Sequence, residues 1–340
     1  MTSPGGPADQ FWHGEGRAQP TPSRGRTVWL ILLIGFLALL LGATSFLLGR
    51  AHTLLSGIQR DASLLPEREA GQSPPADGPG RPIDFVIMAA GSGEQDECPS
   101  DELLIAHLSA ARDRLYLISV PPELYVDIPG HGEATVNAAM ELGGPALSVQ
   151  TLEGLLGFQV EHAALVDFDR FYALADTVGG VDIDNRVESG SAGFAFPKGE
   201  LHLDGDALLA YVGQCDGLPD GSRDRAERQR TVLKAMATRL ATPAVLTHPS
   251  TLATITSEVG RCLTVDAGLT DAALWQFASS LRLVDSDDIV TFQAPIAGSG
   301  SRKGAQVDLA DDQAMAELGE ALVGDAMDAY VRDHKLGDGG

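Results

Sequence analysis

Two arginines in the segment SRDRAERQR could bind an anion. Arg225 and Arg228 are three residues apart, which places both side chains on one face of the helix predicted over Asp224–Leu240. Guanidinium groups at this spacing can grip a phosphate through charge-assisted hydrogen bonds. The residues alone leave a second interpretation open, in which this is a surface helix whose arginines form salt bridges with Glu227 and its neighbours.

Carboxylates crowd a second segment, EQDECPSDE at residues 94–102, which includes Asp101. Such side chains can recruit a divalent metal, because carboxylate oxygens are the ligands that Mg²⁺ and Ca²⁺ prefer. They can equally be solvated loop carboxylates without a role. Both interpretations stay open at this point.

The cysteines do not form a metal-binding pattern. Cys98, Cys215 and Cys262 are too far apart in sequence for a C-x-x-C site. In an oxidising compartment one disulfide is permitted, which leaves one thiol over.

The overall charge is strongly acidic. The 340 residues include 47 acidic and 24 basic side chains, for a formal net charge of −23. Binding to nucleic acid requires clustered Lys and Arg that neutralise phosphates, so this composition argues against a nucleic-acid partner. It is typical of a soluble, self-repelling surface.

One long apolar run predicts a membrane anchor. Residues 27–49, TVWLILLIGFLALLLGATSFLLG, carry no charge and are long enough to cross the roughly 30 Å hydrocarbon core as a helix. A cleaved signal peptide has a shorter apolar region followed by an Ala-x-Ala-like site, which is absent here. We therefore predict a disordered cytoplasmic tail at residues 1–26, a transmembrane helix at 27–49, a Pro- and Gly-rich linker at 50–82 and an extracytoplasmic domain at 83–336.

Short β-rich runs alternate with helical patterns in the predicted domain. This alternation predicts an α/β fold, an α-β-α sandwich with a central mixed sheet preceded by the one transmembrane helix. The predicted strands are Ile83–Ala89, Leu103–Leu108, Leu115–Val120, Ala163–Val166 and Ile289–Gln293. The predicted helices are Ala134–Leu142, Leu147–Leu156, Phe168–Val178, the stretch dominated by helix from Asp204 to about Val259, Ala272–Leu283 and Asp311–Leu322.

Four segments carry a family resemblance. They are SVPPELYVDIPGHGEATVNAAMELGGP at Ser119–Pro145, VDFDRFYALADTVGGVD at Val166–Asp182, GELHLDGDALLAYV at Gly199–Val212 and GLPDGSRDRAERQR at Gly217–Arg230. In this order they resemble the motifs of the LytR-CpsA-Psr family of cell-envelope proteins. Any one of them is weak evidence, whereas four in the same order are specific.

The resemblance implies a phosphotransferase. Members of the family transfer a phosphoglycopolymer from a polyprenyl-pyrophosphate carrier to peptidoglycan, outside the membrane, usually with a divalent metal such as Mg²⁺ or Mn²⁺. The lipid tail is expected in an apolar tunnel of the α/β domain. The implied site residues are Arg225 and Arg228 as catalytic, phosphate-binding arginines, Gln229 as a further substrate ligand and Asp101 as a metal ligand.

Several residues depart from the family pattern. Gly93 stands at an expected metal aspartate and Thr135 at an expected lysine, and five expected arginines are replaced by Gln95, Pro99, Pro122, Gly213 and Cys215. Each charge-assisted contact contributes about 1.5–3 kcal/mol, so these losses predict weaker pyrophosphate binding. Because Cys98 and Cys215 lie at or beside expected cleft arginines, a Cys98–Cys215 disulfide could cross the cleft. A Cys215–Cys262 pair and three free thiols are the alternatives.

Two functions follow from the resemblance and its departures. The first is an envelope phosphotransferase, and the second is a catalytically degenerate family member that binds lipid-linked or wall glycopolymer in assembly or regulation. In both, the expected partners are the polyprenyl-pyrophosphate-linked glycopolymer and peptidoglycan.

Overall fold

A mixed β-sheet organises the part of the chain that the structure describes. The computed structural model describes residues 58–68, 80–89, 103–240, 249–283 and 286–336. The strands in these ranges are β1 Gln59–Arg60, β2 Ile83–Ala89, β3 Leu103–Leu108, β4 Leu115–Val120, β5 Leu124–Ile128, β6 Gly132–Thr135, β7 His162–Val166, β8 Val181–Asn185, β9 Ser189–Ser191, β10 Phe194–Phe196, β11 Gly199–Leu203, β12 Leu263–Val265, β13 Ile289–Gln293, β14 Ile296–Arg302 and β15 Ala305–Ala310. The helices are α1 Ala138–Leu156, α2 Phe168–Val178, α3 Gly205–Gly213, α4 Ser222–Leu240, α5 Pro249–Cys262, α6 Asp271–Ser280, α7 Asp312–Val323 and α8 Met327–Asp333.

The ends of the strands define two opposite edges of the main sheet. Within the described ranges its strand order is β1-β12-β7-β2-β3-β4-β13. Strands β2, β4, β7 and β13 run in one direction, because β7 pairs in parallel with β2, β13 pairs in parallel with β4, and β3 is antiparallel to both β2 and β4. Their C-terminal ends meet at one edge, here called the carboxyl edge, and their N-terminal ends meet at the amino edge.

Helices cover both faces of this sheet. On one face α1, α7 and α8 pack on residues such as Val86, Ile105 and Ile118 in the largest hydrophobic cluster. On the other face Leu233 and Ala237 of α4 pack against Ala106, Leu117 and Ile289, and Phe277 of α6 packs with Ala164 and Val265. Strand β3 is buried along its whole length, because it lies between two covered faces. This arrangement confirms the mixed α/β fold with a central mixed sheet.

A second hydrophobic cluster lies beside the sheet. It joins α2, α3 and α4 to the antiparallel pair β8–β11 and to the short hairpin β9–β10. Helix α2 begins after Asp167, whose carboxylate accepts a hydrogen bond from the Arg170 amide (3.1 Å), and it ends at Gly179 in the left-handed conformation (φ 79°). Helix α4 contributes residues to this cluster and also packs on the sheet, so it connects the second cluster to the sheet.

One predicted helix is wrong at its start. The sequence predicted helix over Ala134–Leu142, but residues 132–135 form β6, which pairs with β5 across a tight turn at Gly130 (φ 77°). Helix begins only at Ala138 and continues to Leu156, with a non-helical Gly144 (φ 71°, ψ −163°) at the predicted Gly-Gly-Pro break. The β5–β6 pairing outweighs the local helical pattern of this stretch, since each strand satisfies the backbone groups of the other.

The predicted membrane anchor cannot be compared with this fold. Residues 27–49 lie outside the described ranges, as do the tail at 1–26 and residues 50–57 and 69–79 of the predicted linker. The linker prediction is wrong for residues 58–68, because Gln59–Arg60 form β1 of the main sheet and Leu64 is fully buried in the largest hydrophobic cluster. In the described ranges we find no helix with the length and apolar character that membrane crossing requires.

Candidate functional site

Helix α4 begins at the carboxyl edge of the sheet. Nη1 of Arg230 donates a hydrogen bond to the Ser119 hydroxyl near the C-terminal end of β4 (2.5 Å). The later residues Leu233 and Ala237 pack deeper on the sheet, so the N-terminal turns of α4 extend beyond that edge. The loop after β2 leaves the same edge, although its residues 90–102, with Asp101, lie outside the described ranges. Open α/β sheets bind ligands outside the C-terminal ends of their strands, so this edge is the candidate site.

The predicted site residues of α4 are buried. Arg225 is 5% exposed, Arg228 4% and Gln229 8%. Glu227 instead pairs with Arg186, with 3.0 Å between Oε1 and Nη1. The alternative interpretation, an exposed helix whose arginines form salt bridges with Glu227, is therefore wrong for Arg228. The contacts of Arg228 are with residues other than Glu227.

Arg228 is held by four acceptors from two segments, residues 187–189 and residues 211–214. Its Nη1 donates to Gln214 Oε1 (2.8 Å) and to the Tyr211 carbonyl (3.5 Å). Its Nη2 donates to the Val187 carbonyl (3.0 Å) and to the Ser189 hydroxyl (2.7 Å). All four acceptors are neutral, and none of the described carboxylates forms a salt bridge with this guanidinium, although the charge of Asp224 acts on it from a longer distance.

An aromatic ring completes the Arg228 environment. The guanidinium carbon lies 4.2 Å from the ring centroid of Tyr211, a cation–π distance. The Tyr211 hydroxyl donates to Asn185 Oδ1 (3.0 Å), and the Asn185 amide donates to the carbonyls of Val187, Phe196 and Pro197. Burial raises the pKa of Tyr211 to about 12, and burial also lowers the pKa of Arg228 from its usual value. Arg228 thus fixes the position of the β9–β10 hairpin and the end of α3.

Two further arginines of α4 were missed by sequence reasoning. Arg223 forms an ion pair with the buried Asp308 of β15 (Nη2–Oδ1 2.5 Å) and donates to the Ser299 hydroxyl of β14 (2.8 Å). Arg230 donates a hydrogen bond to the Ser119 hydroxyl of β4. The dense arginine spacing of SRDRAERQR was the available signal, but only the fold brings their partners to α4.

Comparison with known proteins identifies the family. The sequence profile of the LytR_cpsA_psr family matches residues 79–323, which is well over half of the chain. The chain belongs to the LytR_cpsA_psr family.

This LytR_cpsA_psr protein is similar in sequence to a curated transferase. The chain is 32% identical over 187 residues to a polyisoprenyl-teichoic acid–peptidoglycan teichoic acid transferase, TagU, of Bacillus cereus (strain ZK / E33L). That match covers 54% of this chain and 62% of TagU, so the chain spans less than two thirds of this relative.

Solved structures confirm the fold. The crystal structure of B. subtilis TagV superposes with a TM-score of 0.58 at 20% identity, over 73% of this chain and 98% of TagV. TagT bound to the ligand designated LIIa-WTA superposes with a TM-score of 0.54 at 21% identity, over 79% of this chain and 97% of TagT.

One departure of this LytR_cpsA_psr chain from the family pattern lies near α4. Pro122, at an expected arginine, accepts a hydrogen bond at its carbonyl from the Asn137 amide (3.4 Å). The next carbonyl, of Glu123, accepts from the amide of Asp308, the residue paired with Arg223. The guanidinium of Arg223 therefore lies close to the place where the pattern expects another.

The bonding states of two cysteines exclude one of the possible disulfides. Cys215 is disulfide-bonded, and Cys262 is a buried free thiol whose pKa burial raises to about 11. The Cys215–Cys262 pairing and the alternative of three free thiols are therefore wrong. Cys98 lies outside the described ranges, so the Cys98–Cys215 pairing stays a prediction.

The described residues do not provide a metal site. In these ranges no three His, Cys, Asp or Glu side chains are arranged to hold an ion. Asp101 lies outside the described ranges, so its assignment as a metal ligand stays a prediction.

A cavity of about 530 Å³ borders α4, and charged, hydroxyl and aliphatic side chains of α4, β8 and the region of β13 line it. The apolar tunnel that the resemblance implies stays a prediction. A smaller cavity beside it includes Tyr211 and Arg228 in its wall.

Proposed function

We propose that this protein is a membrane-anchored, extracytoplasmic transferase that moves a phosphoglycopolymer from a polyprenyl-pyrophosphate carrier to peptidoglycan. The observation that carries the proposal is the placement of Arg225, Arg228 and Gln229, which are buried on one helix at the carboxyl edge of the sheet. The resemblance to TagU, a polyisoprenyl-teichoic acid–peptidoglycan teichoic acid transferase, supports the same reaction class.

The chemistry requires stabilisation of negative charge. A hydroxyl of the acceptor attacks the phosphorus that carries the polymer, the P–O bond to the second phosphate breaks, and the polyprenyl phosphate leaves. The hydroxyl proton passes to a base or to water. Charge accumulates on the phosphate oxygens, and guanidinium donors fixed in a buried site stabilise it because they require no reorganisation.

The arginines contribute to this reaction in different ways. Arg225 and Gln229 are proposed as phosphate ligands. Four hydrogen-bond donors of Arg228 already serve protein acceptors, so its proposed contribution is to position the hairpin and to supply positive potential. Its role as a direct phosphate ligand, which the resemblance implies, remains a prediction.

Two features support the extracytoplasmic location. Residues 27–49 form an uncharged apolar run of membrane-spanning length. Cys215 is disulfide-bonded, and disulfides persist mainly in oxidising compartments outside the cytoplasm.

A degenerate, polymer-binding role is the second candidate. It is favoured by Pro122, Gly213 and Cys215, which replace arginines of the family pattern, and by the protein acceptors that occupy Arg228. In that role the protein would bind the lipid-linked polymer without breaking the pyrophosphate.

Measurement of polyprenyl phosphate release separates the two candidates. The full-length chain would be incubated with a polyprenyl-pyrophosphate-linked saccharide, peptidoglycan, and Mg²⁺ or Mn²⁺. We expect turnover, and we expect Arg225→Ala to lower kcat/KM about 100-fold, as removal of a charge-stabilising donor does. Arg170→Ala is the control, because Arg170 is exposed and pairs only locally with Asp167.

Two outcomes of this assay would contradict the proposal. Retained binding of the carrier lipid without turnover would reject the transferase and favour the degenerate role. Turnover unaffected by Arg225→Ala and by Gln229→Ala would contradict the assignment of the site. The thermal midpoint of each variant, compared with that of the parent chain, would show that lost activity is not lost folding.

A further inference from the structure

One exposed aromatic side chain lies at the tip of the hairpin that Arg228 holds. Phe194 of β10 is 39% exposed, and it comes directly after the turn that joins β9 to β10. Both central residues of that turn have positive φ, 49° for Ala192 and 87° for Gly193, which is the pattern of a tight two-residue hairpin. The turn therefore presents the Phe194 ring on a short, ordered connection.

The Phe194 ring is the outermost member of an aromatic series that starts at the candidate site. The guanidinium carbon of Arg228 lies 4.2 Å from the ring centroid of Tyr211. Phe196 packs edge-on against Tyr211 with 5.1 Å between the ring centroids. Phe194 lies nearly parallel to Phe196 (20°) with 6.5 Å between the centroids. Single exposed apolar side chains are common, but this one is connected to a buried arginine of the candidate site.

Serine hydroxyls accompany the two phenylalanines on one face of the hairpin. In the β9–β10 pairing Ser189 lies opposite Phe196, and Ser191, nearer the turn, lies opposite Phe194. Side chains of directly opposite residues point to the same face of an antiparallel pair. The Ser189 hydroxyl accepts a hydrogen bond from Arg228 (2.7 Å). The outer pair, Ser191 and Phe194, therefore continues a face that begins at the candidate site.

The fold holds this hairpin in place through hydrogen bonds to both strands. Nε2 of Gln214 donates to the Gly190 carbonyl of β9 (3.2 Å). Nδ2 of Asn185 donates to the Phe196 carbonyl of β10 (2.9 Å). A ring on such a support loses little conformational freedom when a ligand packs against it. Phe194 thus has the properties of a preformed binding platform.

The hairpin carries no charge that would select an ionic ligand. Residues 189–197, SGSAGFAFP, contain no ionisable side chain, and the flanking Glu188 and Lys198 have opposite charges. A polyanion therefore gains little electrostatic attraction here. The other exposed residues at the tip are glycine and alanine, so the apolar area is too small for insertion into a lipid surface. An uncharged ligand with one flat apolar face fits these properties.

We propose that Phe194 and Ser191 form a subsite for an uncharged sugar ring of the acceptor glycan. The proposal rests on the proposed function, because it places the acceptor beside the site where its hydroxyl reacts. One face of a pyranose ring consists of C–H groups, which pack on the negatively polarised face of an aromatic ring. Its rim consists of hydroxyl groups, which form hydrogen bonds with a serine hydroxyl. Phe194 thus supports the ring, and Ser191 orients it.

Calorimetric titration of the full-length chain with an N-acetylglucosamine tetramer tests the subsite directly. We expect binding, and we expect Phe194→Ala to weaken it about tenfold, as the loss of a good aromatic stacking contact does. Phe194→Tyr should keep the affinity of the parent chain because it keeps the ring. Phe194→Leu keeps the apolar character without the aromatic face, so it should lose most of the affinity.

Leu281→Ala is the matched control for the titration. Leu281 is exposed to a similar extent (45%), but its neighbour Arg282 donates from its amide to the Arg112 carbonyl in the turn between β3 and β4, at the amino edge. This variant should bind the tetramer as the parent chain does. Failure of the parent chain to bind the tetramer would overturn the proposal. Equal affinities of the parent chain, Phe194→Ala and Phe194→Leu would overturn it as well.

A peptide ligand distinguishes the two components of peptidoglycan. The stem peptide without its sugars should bind equally to the parent chain and to Phe194→Ala. Binding of this peptide, and not of the tetramer, that depends on Phe194 would reject the sugar in favour of a peptide.

Kinetics separate this proposal from the proposed function. With a polyprenyl-pyrophosphate-linked donor, Phe194→Ala should raise KM for the acceptor glycan about tenfold and leave KM for the donor unchanged. Turnover with an unchanged KM for the acceptor would reject the subsite and leave the transferase standing. Tetramer binding that depends on Phe194 in a chain without any turnover would instead leave the subsite standing and reject the transferase.

Discussion

Buried charges at the two edges of the central sheet are held in different ways. At the carboxyl edge the buried groups include the guanidinium of Arg228, whose four hydrogen bonds go to neutral acceptors. At the amino edge two buried carboxylates, Asp84 and Asp266, bind histidines. His107, with no exposed surface, lies between Asp84 (Nδ1–Oδ1 2.7 Å) and Asp325 (Nε2–Oδ1 3.3 Å).

A second pair at the amino edge follows the same pattern. Nδ1 of His162 lies 3.0 Å from Asp266 Oδ2, and this carboxylate also accepts from the amides of Ala163 and Gly268. Burial alone would raise the pKa of Asp266, but these hydrogen bonds outweigh it and hold the pKa below its usual range.

The comparison separates a stabilising role from a binding role. Carboxylates at the amino edge are satisfied by the protein itself, so they stabilise the fold. At the carboxyl edge none of the described carboxylates forms a salt bridge with Arg228, and Asp224 offsets its charge only from a longer distance, so this guanidinium can still attract a ligand anion.

His107→Ala should cause the largest loss of stability. Removal of the imidazole leaves Asp84 as a buried carboxylate without its partner, and breaking a buried pair costs about 3–5 kcal/mol. Urea unfolding followed by circular dichroism measures the loss.

A second histidine pair provides the matched control for His107. His202 and Asp182 have the same 2.7 Å separation between Nδ1 and Oδ1, but both side chains are exposed. His202→Ala should change the free energy of unfolding by less than about 1 kcal/mol. Similar losses in the two variants would remove burial as the basis of the comparison.

Arg228→Gln tests the positioning role of the guanidinium. Four acceptors lose donors, so we expect a loss of about 2–3 kcal/mol in unfolding free energy. We also expect lower kcat with little change in KM for the donor, because the hairpin and the end of α3 shift. A variant of unchanged stability with a strongly raised KM would show instead that Arg228 is a direct phosphate ligand.

Asp266→Asn tests the amino edge through its pH dependence. Because the folded pKa of Asp266 is depressed, its contribution is present above the unfolded pKa of about 3.9 and is lost as the pH falls through the folded value. The variant should be about 1–2 kcal/mol less stable than the parent at pH 7. This difference should shrink as the pH falls below about 4, and a difference independent of pH would contradict the assignment.

Apart from the His202→Ala control, Ser119→Ala should have the smallest effect. It removes the hydroxyl that accepts from Arg230 at the carboxyl edge, a single hydrogen bond of about 1 kcal/mol. Thermal unfolding measures the change. A loss as large as that of His107→Ala would mean that the carboxyl edge also serves mainly to stabilise the fold.

The sequence predicted the central strands well for a physical reason. Strands β2, β3, β4 and β13 have the predicted bounds, because continuous apolar runs bounded by polar residues must be buried from both sides. Helix α2 also has its predicted bounds, with Gly179 ending it in the left-handed conformation.

The predictions failed where pairing between distant residues decides the structure. Strand β14, IAGSGSR, carries few apolar residues, and its pairing with β15 is not visible in either segment alone. Strand β8, VDIDN, does alternate, but it was not predicted because it is short and its partner β11 follows a hairpin.

The sequence by itself determined the family, the class of fold and the residues Arg225, Arg228 and Gln229 as candidates, since ordered motifs and helical spacing are local properties. Only the tertiary structure decided what surrounds them. The acceptors of Arg228 come from residues 187, 189, 211 and 214, which the β8–β11 region and α3 bring to one guanidinium. Hydrogen bonds depend on distances of about 3 Å in space, and no spacing along the chain encodes those distances between separate segments.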